Sequence, residues 1–375
     1  MPDDELVALF TDLAAVPSPP GEERDVADRV SSYLRDLGLE VSEDDAGERI
    51  GSTAGNLYAR VEPSGEGGTP LFFCAHLDTV PPEGAIEPVV EDGVIRNAAG
   101  TILGADNKAA VAVMLAATRR VLSENRPHAG IELLFTPKEE TGLHGAAAFD
   151  HERLRARVGY VYDQAAPIGE VILGAPYAHA LEMHFHGRAA HAGMYPEEGR
   201  SAIAAAAKAI ADLRLGRVDE ESTANVGLIK GGTAANIVPE RCSFVAEARS
   251  HDPQKLADLV RDMVESATFA AGLEDCQVET EVRKSYSGYR FKRDDFVVRL
   301  ARAALERTGH EPSLELSGGA ADANVFNERG LHCVNLANGM AEIHTPNEHI
   351  AVSALEEMVD VTLALVEAAR EADAA

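Results

Sequence analysis

The stretch Ile131-Glu-Leu-Leu-Phe-Thr-Pro-Lys-Glu-Glu-Thr141 is an apolar run that ends in two adjacent carboxylates. A short apolar run followed by proline and polar residues predicts a buried strand whose carboxyl end carries Glu139 and Glu140. Two such neighbours can divide their work, because one can bind a metal ion while the other accepts a proton from water. An acidic pair alone is common on protein surfaces, so this interpretation depends on residues elsewhere in the chain.

Other possible metal ligands also lie where an apolar run meets a loop. They are His76 and Asp78 after residues 71–75, Asp106 within residues 103–109, Asp163 after residues 158–162, and His344 within residues 342–346. Imidazole and carboxylate ligands together are typical of sites that hold two divalent ions. The sequence therefore predicts a metal-dependent hydrolase.

Length and composition limit the possible classes of protein. The 375 residues are enough for two domains and a large core. Hydrophobic residues at 45% and charged residues at 26% are ordinary for a globular protein. The formal net charge of -28 predicts no binding to nucleic acid or to an anionic membrane surface, because both would repel the chain.

The cysteines and the amino terminus predict a reduced, cytoplasmic protein. The four cysteines lie far apart without Cys-x-x-Cys spacing, which favours buried free thiols over a zinc ribbon or a disulfide framework. The acidic first five residues lack the basic and apolar regions of a signal peptide. No apolar stretch reaches the roughly 18 residues that span a bilayer, so no membrane association is expected.

The periodicity of apolar residues changes along the chain. Strand and helix patterns alternate up to about residue 177 and again from about residue 287, which predicts an α/β domain with a mostly parallel sheet flanked by helices. Residues 178–286 instead follow the order βαββαβ of a small two-layer domain. The predicted organisation is a discontinuous catalytic domain, residues 1–177 and 287–375, with an inserted lid or dimerisation domain, residues 178–286.

Six segments with chemically informative residues occur in order. They are Ala75-His-Leu-Asp-Thr-Val80, Gly104-Ala-Asp-Asn-Lys108, Glu139-Glu-Thr-Gly142, Gly187-Arg-Ala-Ala-His-Ala-Gly193, Gly231-Gly-Thr-Ala-Ala-Asn236 and Ser317-Gly-Gly-Ala-Ala-Asp-Ala-Asn-Val-Phe326. Through them the chain resembles the M20 family of metallopeptidases, and most closely its peptidase T group. The resemblance covers nearly the whole length.

The resemblance implies a site for two divalent metal ions per subunit. Zinc is the first expectation, and manganese or cobalt would accept the same ligands. The implied ligands, with Asp106 bridging the two ions, are His76, Asp106, Glu140, Asp163 and His344. Asp78 lies two residues beyond His76, so both side chains leave the same face of a strand and the carboxylate can orient the imidazole. Glu139 is the predicted general base.

The resemblance also assigns residues of the inserted domain to the substrate. His191 is implied as a hydrogen-bond donor to the developing negative charge, in the active site of a partner subunit within a two-fold homodimer. Asn236 and Arg249 match substrate-contacting positions. A guanidinium suits a substrate carboxylate, although Arg249 could instead pair across the sheet. A cis peptide bond is implied between Asp106 and Asn107.

Three functions remain open from the sequence. The first is an exopeptidase of short peptides, with a tripeptide aminopeptidase as its specific form. The second is an N-acyl amino acid deacylase or carboxypeptidase of the same family. The third, a metal-bound peptide-binding protein without turnover, is disfavoured because Glu139 and all five implied ligands are present.

Overall fold

A computed structural model describes residues 3–372, and the chain divides into two compact units. The first unit comprises Met1–Gly174 and Arg290–Ala375, and the second unit is Ala175–Tyr289. The second unit is therefore inserted in the sequence of the first. The boundaries lie at 174/175 and 289/290, where the sequence analysis placed them at 177/178 and 286/287.

The helices and strands are numbered in chain order. The first part of the first unit contains α1 (Asp3–Ala14), α2 (Arg24–Asp36), β1 (Val41–Glu43), α3 (Ala46–Ile50), β2 (Leu57–Val61), β3 (Leu71–His76), β4 (Pro88–Glu91), β5 (Val94–Asn97), α4 (Ala105–Ser123), β6 (Ile131–Thr136), α5 (His144–Ala148), β7 (Val158–Gln164) and β8 (Glu170–Ala175). The second unit contains β9 (Tyr177–His186), α6 (Ala202–Asp212), β10 (Gly216–Arg217), β11 (Ser222–Gly231), β12 (Arg241–Ser250), α7 (Pro253–Leu273) and β13 (Gln277–Tyr286). The chain continues through β14 (Tyr289–Arg290), α8 (Phe296–Arg307), β15 (Ser313–Leu316), α9 (Asp322–Glu328), β16 (His332–Ala337), β17 (Met340–Ala341), β18 (His349–Ala351) and α10 (Val352–Glu371).

The main sheet has the strand order β1-β2-β6-β3-β7-β16-β8-β14, and β15 also pairs with β8. Its central strands β6, β3, β7 and β16 are parallel, while β1 and β2 add antiparallel strands at one side. Every residue of β3 and β6 is buried, as expected for strands whose two faces are both covered by helices. The predicted mixed α/β class with a central sheet flanked by helices is confirmed.

Close packing in the middle of this sheet depends on one glycine. A Cβ atom at Gly159 in β7 would lie 2.2 Å from a ring carbon of Phe72 in β3. Phe72 is fully buried and packs edge-on against Phe326 with ring centroids 5.0 Å apart. The absence of a side chain at Gly159 therefore lets an aromatic ring cover the adjacent parallel strand.

A smaller antiparallel sheet of the first unit has the order β17-β18-β5-β4. The loop between β17 and β18 contains His344, and Glu348 directly precedes β18. This sheet therefore anchors both ends of a loop that contributes to the candidate site.

The second unit is built on an antiparallel sheet with the order β10-β11-β12-β9-β13. Its core consists of residues from the sheet and from helices α6 and α7, including Leu181, Phe185 and Phe244. The observed order is βαβββαβ, one strand more than the sequence analysis predicted. The additional strand β10 has only two residues, and Gly216 and Arg217 pair antiparallel with Ala224 and Thr223 of β11.

Two further expectations concern cysteines and membranes. All four cysteines are buried and free, which confirms the predicted thiols. Among the helices of residues 3–372, none combines the length and the apolar character needed to cross a bilayer.

Candidate metal centre

The parallel strands of the first unit bring the predicted ligands to one edge of the sheet. β3 pairs in parallel with both β6 and β7, so the carboxyl ends of all three strands lie together. His76 is the last residue of β3, Asp163 lies near the end of β7, and Glu139 and Glu140 follow β6. Ligands in α/β sheets bind at this edge for the same topological reason.

Two loops complete the group. Asp106 lies at the start of α4 with a non-helical ψ of 102°, and the peptide bond between Asp106 and Asn107 is cis, as the resemblance implied. His344 has a left-handed backbone, with φ of 63°. Both side chains thus come from irregular backbone that the strand pattern alone does not orient.

The two oxygens of Asp106 face different histidines. Asp106 Oδ1 lies 3.1 Å from His76 Nε2, and Asp106 Oδ2 lies 3.1 Å from His344 Nε2. His76 Nε2 is also 3.6 Å from Asp163 Oδ1, and His344 Nε2 is 3.0 Å from Glu140 Oε1. The five side chains therefore form two groups that share the Asp106 carboxylate.

The donor atoms are close enough to hold metal ions. One ligand atom each from His76, Asp106 and Glu140 lie within 4.8 Å of one another, as do atoms of His76, Glu139 and Asp163. Imidazole nitrogen and carboxylate oxygen form the mixed donor set that zinc, manganese and cobalt accept. The residues therefore fit divalent cations.

The electrostatics of the cluster also favour cations. Burial raises the pKa of Glu139 well above its usual range, and burial together with the charge of Asp106 does the same for the pKa of Asp163. Hydrogen bonds to Asp106 and Glu140 raise the pKa of His344 to about 10. Several buried carboxylates share a small volume, and bound divalent cations would offset their repulsion.

The imidazole of His76 is held by the backbone. His76 Nδ1 lies 2.8 Å from the carbonyl oxygen of Asp78, so the hydrogen-bond network assigns the proton to Nδ1 in the neutral ring. Nε2 then presents a lone pair toward Asp106 and Asp163, as a metal ligand requires.

The carboxylate of Asp78 has a different principal contact from the one expected. Its Oδ1 accepts a hydrogen bond from the Glu139 backbone N–H at 2.9 Å, and its Oδ2 accepts one from Glu140 at 3.1 Å. The distance from Asp78 Oδ1 to His76 Nδ1 is 3.6 Å. The fully buried carboxylate therefore orients the Glu139–Glu140 turn, while the main chain of Asp78 orients the imidazole.

Glu348 supports the site and was not predicted from the sequence. Its Oε2 accepts hydrogen bonds from the N–H groups of Leu103 and Gly104, each at 2.8 Å, and its Oε1 accepts one from Asp106 at 2.9 Å. The residue is only 2% exposed, and burial raises its pKa. The sequence feature that could have identified Glu348 is its position four residues after His344. A glutamate in a polar loop is ordinarily exposed, so this position alone did not predict a supporting role.

Glu23 is a second supporting carboxylate that the sequence analysis missed. It is fully buried, and its Oε1 accepts hydrogen bonds from the N–H groups of Gly21 at 2.7 Å and Lys138 at 3.2 Å. Its Oε2 accepts a hydrogen bond from Ser52 Oγ at 2.5 Å. Glu23 thereby fixes the residue before Glu139, from a position far away in the sequence.

Two further buried polar residues support the strand ends. Asn335 Oδ1 accepts a hydrogen bond from the Asp163 N–H at 2.8 Å. Asp322 accepts one from Thr136 Oγ1 at 2.5 Å, and burial raises the pKa of Asp322 to about 6. Asp322 lies in the segment 317–326 that carries the family resemblance, although no contact was assigned to it, whereas Asn335 was not singled out from the sequence.

In the second unit, His191 and Asn236 are neighbours. The N–H of Ala192 donates to the carbonyl oxygen of Asn236 at 3.0 Å. The exposed ring of His191 accepts hydrogen bonds at Nδ1 from the N–H groups of Gly193 and Met194, both at 3.2 Å. The neutral imidazole must then carry its proton on Nε2, which makes that atom a hydrogen-bond donor.

Arg249 is already paired within its own strand. Its Nε lies 2.6 Å from Glu247 Oε1 and its Nη2 lies 3.1 Å from Glu247 Oε2, while the guanidinium lies 5.9 Å from the centre of the Tyr286 ring. This ion pair runs along one strand, whereas the alternative left open by the sequence was a pair across the sheet. The contact of Arg249 with substrate remains a prediction.

Comparisons with known proteins agree with this metal-binding α/β fold. The sequence matches peptidase family M20/M25/M40 over residues 72–368, and the chain belongs to this family. Uncharacterized protein YqjE of Bacillus subtilis (strain 168) is 37% identical over 98% of this chain and 99% of its own. The predicted family is thus confirmed, and the protein is a peptidase and hence a hydrolase.

Solved structures give the same result. The aminopeptidase PepT from Bacillus cereus ATCC 10987 is 40% identical with a TM-score of 0.90, and the match covers 98% of both chains. A tripeptidase (SAV1512) from Staphylococcus aureus subsp. aureus Mu50 is 34% identical with a TM-score of 0.94, covering 98% of this chain and 99% of the other. The resemblance to the peptidase T group is confirmed.

Proposed function

We propose that this peptidase is a dinuclear metal-dependent exopeptidase of short peptides, with tripeptide aminopeptidase activity as its specific form. The observation that carries the proposal is Asp106, whose two oxygens face separate histidine-containing groups. Glu139 lies beside one of these groups and is 8% exposed. The similarity to the PepT aminopeptidase and the tripeptidase supports short peptides as substrates.

The residues suggest the following division of roles. His76 and Asp163 would hold one cation, Glu140 and His344 the other, and Asp106 both. Bound cations supply the positive charge that polarises a scissile carbonyl and lowers the pKa of water. Glu139 accepts the proton of the attacking water and delivers it to the leaving amine. Its burial keeps bulk water from competing for that proton.

The second unit would contribute the substrate contacts. His191 donates its Nε2 hydrogen to the developing negative charge, a role consistent with the proton assignment above. Asn236 and Arg249 are proposed to contact the peptide, and a two-fold homodimer through this unit is proposed from the family resemblance. Hydrolysis of short peptides fits a cytoplasmic location, which stays a prediction.

A small substrate panel tests the proposed specificity. We expect cleavage of an unmodified tripeptide and of its C-terminal amide, and strongly reduced cleavage of its N-acetyl form, because an aminopeptidase requires a free amine. Release rates would be measured by chromatography of the products. The opposite pattern, with the N-acetyl peptide cleaved and the amide resistant, would instead identify a deacylase or carboxypeptidase.

Metal removal tests the proposed cofactors. Dialysis against a chelator should abolish hydrolysis, and zinc, manganese or cobalt should restore it as two equivalents bind per subunit. Elemental analysis of the purified protein would identify the resident metal. Peptide binding without cleavage by the metal-loaded protein would support the non-catalytic alternative.

A further inference from the structure

One cavity of the first unit lies at the opposite end of the strands that carry the candidate ligands. It has a volume of about 630 Å³ and is lined by Val158 and His332, the first residues of β7 and β16, and by Pro70 just before β3. His76 and Asp163 lie toward the opposite, carboxyl ends of β3 and β7. The cavity is thus at the amino edge of the sheet, and its volume is in the range of small-molecule sites.

Basic side chains dominate this cavity. Arg155, Arg157, Arg290 and His332 contribute to its lining, and Asp295 is the acidic residue among the described lining residues. Within residues 3–372, neither Arg155 nor Arg157 forms an ion pair with a carboxylate. Both guanidiniums are exposed and lie beside one cavity in a chain with 62 acidic and 34 basic residues, so they give this surface a local positive charge that suits an anionic ligand.

The start of α8 adds to the positive character of the cavity. Phe296, the first residue of this 12-residue helix, and Asp295, its N-cap, both line the cavity. The Asp295 side chain does not cap the helix but accepts a hydrogen bond from the Lys292 N–H at 2.7 Å. The first-turn N–H groups and the helix dipole therefore favour negative charge at this end.

An apolar surface accompanies the charge. Phe291, Phe296 and Pro70 line the cavity, and the Phe291 ring packs edge-on against His332 with centroids 6.1 Å apart. Aromatic side chains next to arginines suit a ligand that joins a planar ring to an anionic group. Asp295 can accept a hydrogen bond from a hydroxyl or amino group of such a ligand.

We propose that this cavity, lined by Arg155, Arg157, Arg290 and Phe291, binds a phosphorylated small molecule with a planar ring, of the nucleoside diphosphate class. Guanidinium forks match phosphate oxygens bidentately. A diphosphate fits better than a single carboxylate because two guanidiniums without a carboxylate partner in residues 3–372, Arg155 and Arg157, line the space together with a helix amino terminus. The proposal is independent of the peptide specificity argued above.

Calorimetric titration of the metal-loaded protein with ADP, inorganic pyrophosphate and adenosine tests the assignment. ADP should bind with a stoichiometry of one. Pyrophosphate should bind more weakly because it lacks the planar ring, and adenosine should bind most weakly because it lacks the phosphates. The double substitution Arg155→Ala, Arg157→Ala should weaken ADP binding by about 100-fold, or roughly ten-fold for each lost charge-assisted contact. Arg96→Ala, an exposed arginine in β5 outside the cavity, is the matched control and should leave ADP affinity unchanged.

Peptide hydrolysis by the double variant should stay near the wild-type rate, which shows that the fold is intact. Absence of saturable ADP binding at millimolar concentrations would overturn the proposal. It would equally be overturned if Glu140→Gln abolished binding while the double arginine variant retained it, because the phosphates would then bind at the metal centre. Equal affinities for ADP and pyrophosphate would overturn the assignment of a ring.

Discussion

Glu139 and Glu140 are adjacent in sequence, yet their side chains have different surroundings. Asp78 accepts a hydrogen bond from the backbone N–H of each. Glu140 Oε1 then lies 3.0 Å from His344 Nε2, whereas a Glu139 oxygen lies near His76 and Asp163. This turn explains how two identical residues can take separate roles, one as ligand and one as base.

Substitution of either glutamate should separate these roles. Glu139→Gln should retain both metals and lower kcat by roughly 10² to 10⁴, the usual contribution of a positioned proton acceptor. Glu140→Gln should instead lose metal, because an amide is a weaker ligand than a carboxylate. Metal content by elemental analysis and kcat on one peptide check both expectations. A wild-type kcat for metal-loaded Glu139→Gln would contradict the role of Glu139.

Glu348 tests whether a residue that only hydrogen-bonds to the backbone around a candidate ligand affects metal binding. Glu348→Gln replaces one accepting oxygen with an N–H₂ group, which would face backbone donors at Leu103, Gly104 or Asp106. We expect metal affinity to fall by about 10- to 100-fold, the usual effect of removing a group that orients a ligand. Competition with a chromogenic chelator measures this affinity.

Glu91→Gln is the control for that substitution, since Glu91 is exposed at the end of β4 and makes the same change in charge. It should leave metal affinity unchanged. Equal affinities of the Glu348→Gln variant and the wild type would show that the three backbone hydrogen bonds do not orient Asp106.

At the scale of elements, the metal centre depends on how closely the parallel strands pack. β3 carries His76 and β7 carries Asp163, and these neighbours meet at Phe72 and Gly159. A shift between the two strands would move the two side chains that lie on one side of the candidate centre. The distance between the His76 and Asp163 side chains therefore depends on how β3 and β7 pack.

Gly159→Ala should destabilise the protein, because the new methyl group overlaps the Phe72 ring. Overpacking of this kind costs about 1–3 kcal/mol, so the urea midpoint of the metal-loaded protein should fall. Gly84→Ala is the control, since a Cβ at Gly84 meets no atom within 4 Å and its midpoint should not change.

A double variant identifies the cause of this loss. If the clash with Phe72 is responsible, Phe72→Leu should lower the free energy of unfolding less in the Gly159→Ala background than in the wild type. Additive effects of the two substitutions would show that the strain lies elsewhere.

At the scale of the whole molecule, the predicted homodimer has a test that does not require a structure of the complex. His191→Ala and Glu139→Gln should each be nearly inactive as homodimers. If His191 serves the partner's site, refolding the two variants together should give about half mixed dimers, each with one intact site, and roughly a quarter of wild-type activity.

The matched control is a mixture of Glu139→Gln with the double variant Glu139→Gln, His191→Ala, which should recover no activity. Sedimentation and mass analysis of differently tagged chains would establish that mixed dimers have formed. If mixed dimers form without recovering activity, His191 acts within its own chain or has no part in catalysis.

The sequence alone determined the family, the α/β class and which side chains cluster as candidate ligands. His76, Glu139 and Asp163 each follow an apolar run that predicts a strand. Because the carboxyl ends of parallel strands meet at one edge of a sheet, this local pattern already predicts that the three side chains lie close together. The cis bond after Asp106 was also predicted, through the family resemblance, and is present.

Only the tertiary structure determined which groups orient those ligands. Glu348 contacts the N–H of Asp106, and Glu23 contacts that of Lys138, across 242 and 115 positions of the sequence. The periodicity of apolar residues does not reveal such pairs, because it does not distinguish a buried glutamate from an exposed one. The contacts of Asp78 and Arg249 were likewise decided by folding, since each side chain had several chemically suitable partners and only packing selects the nearest.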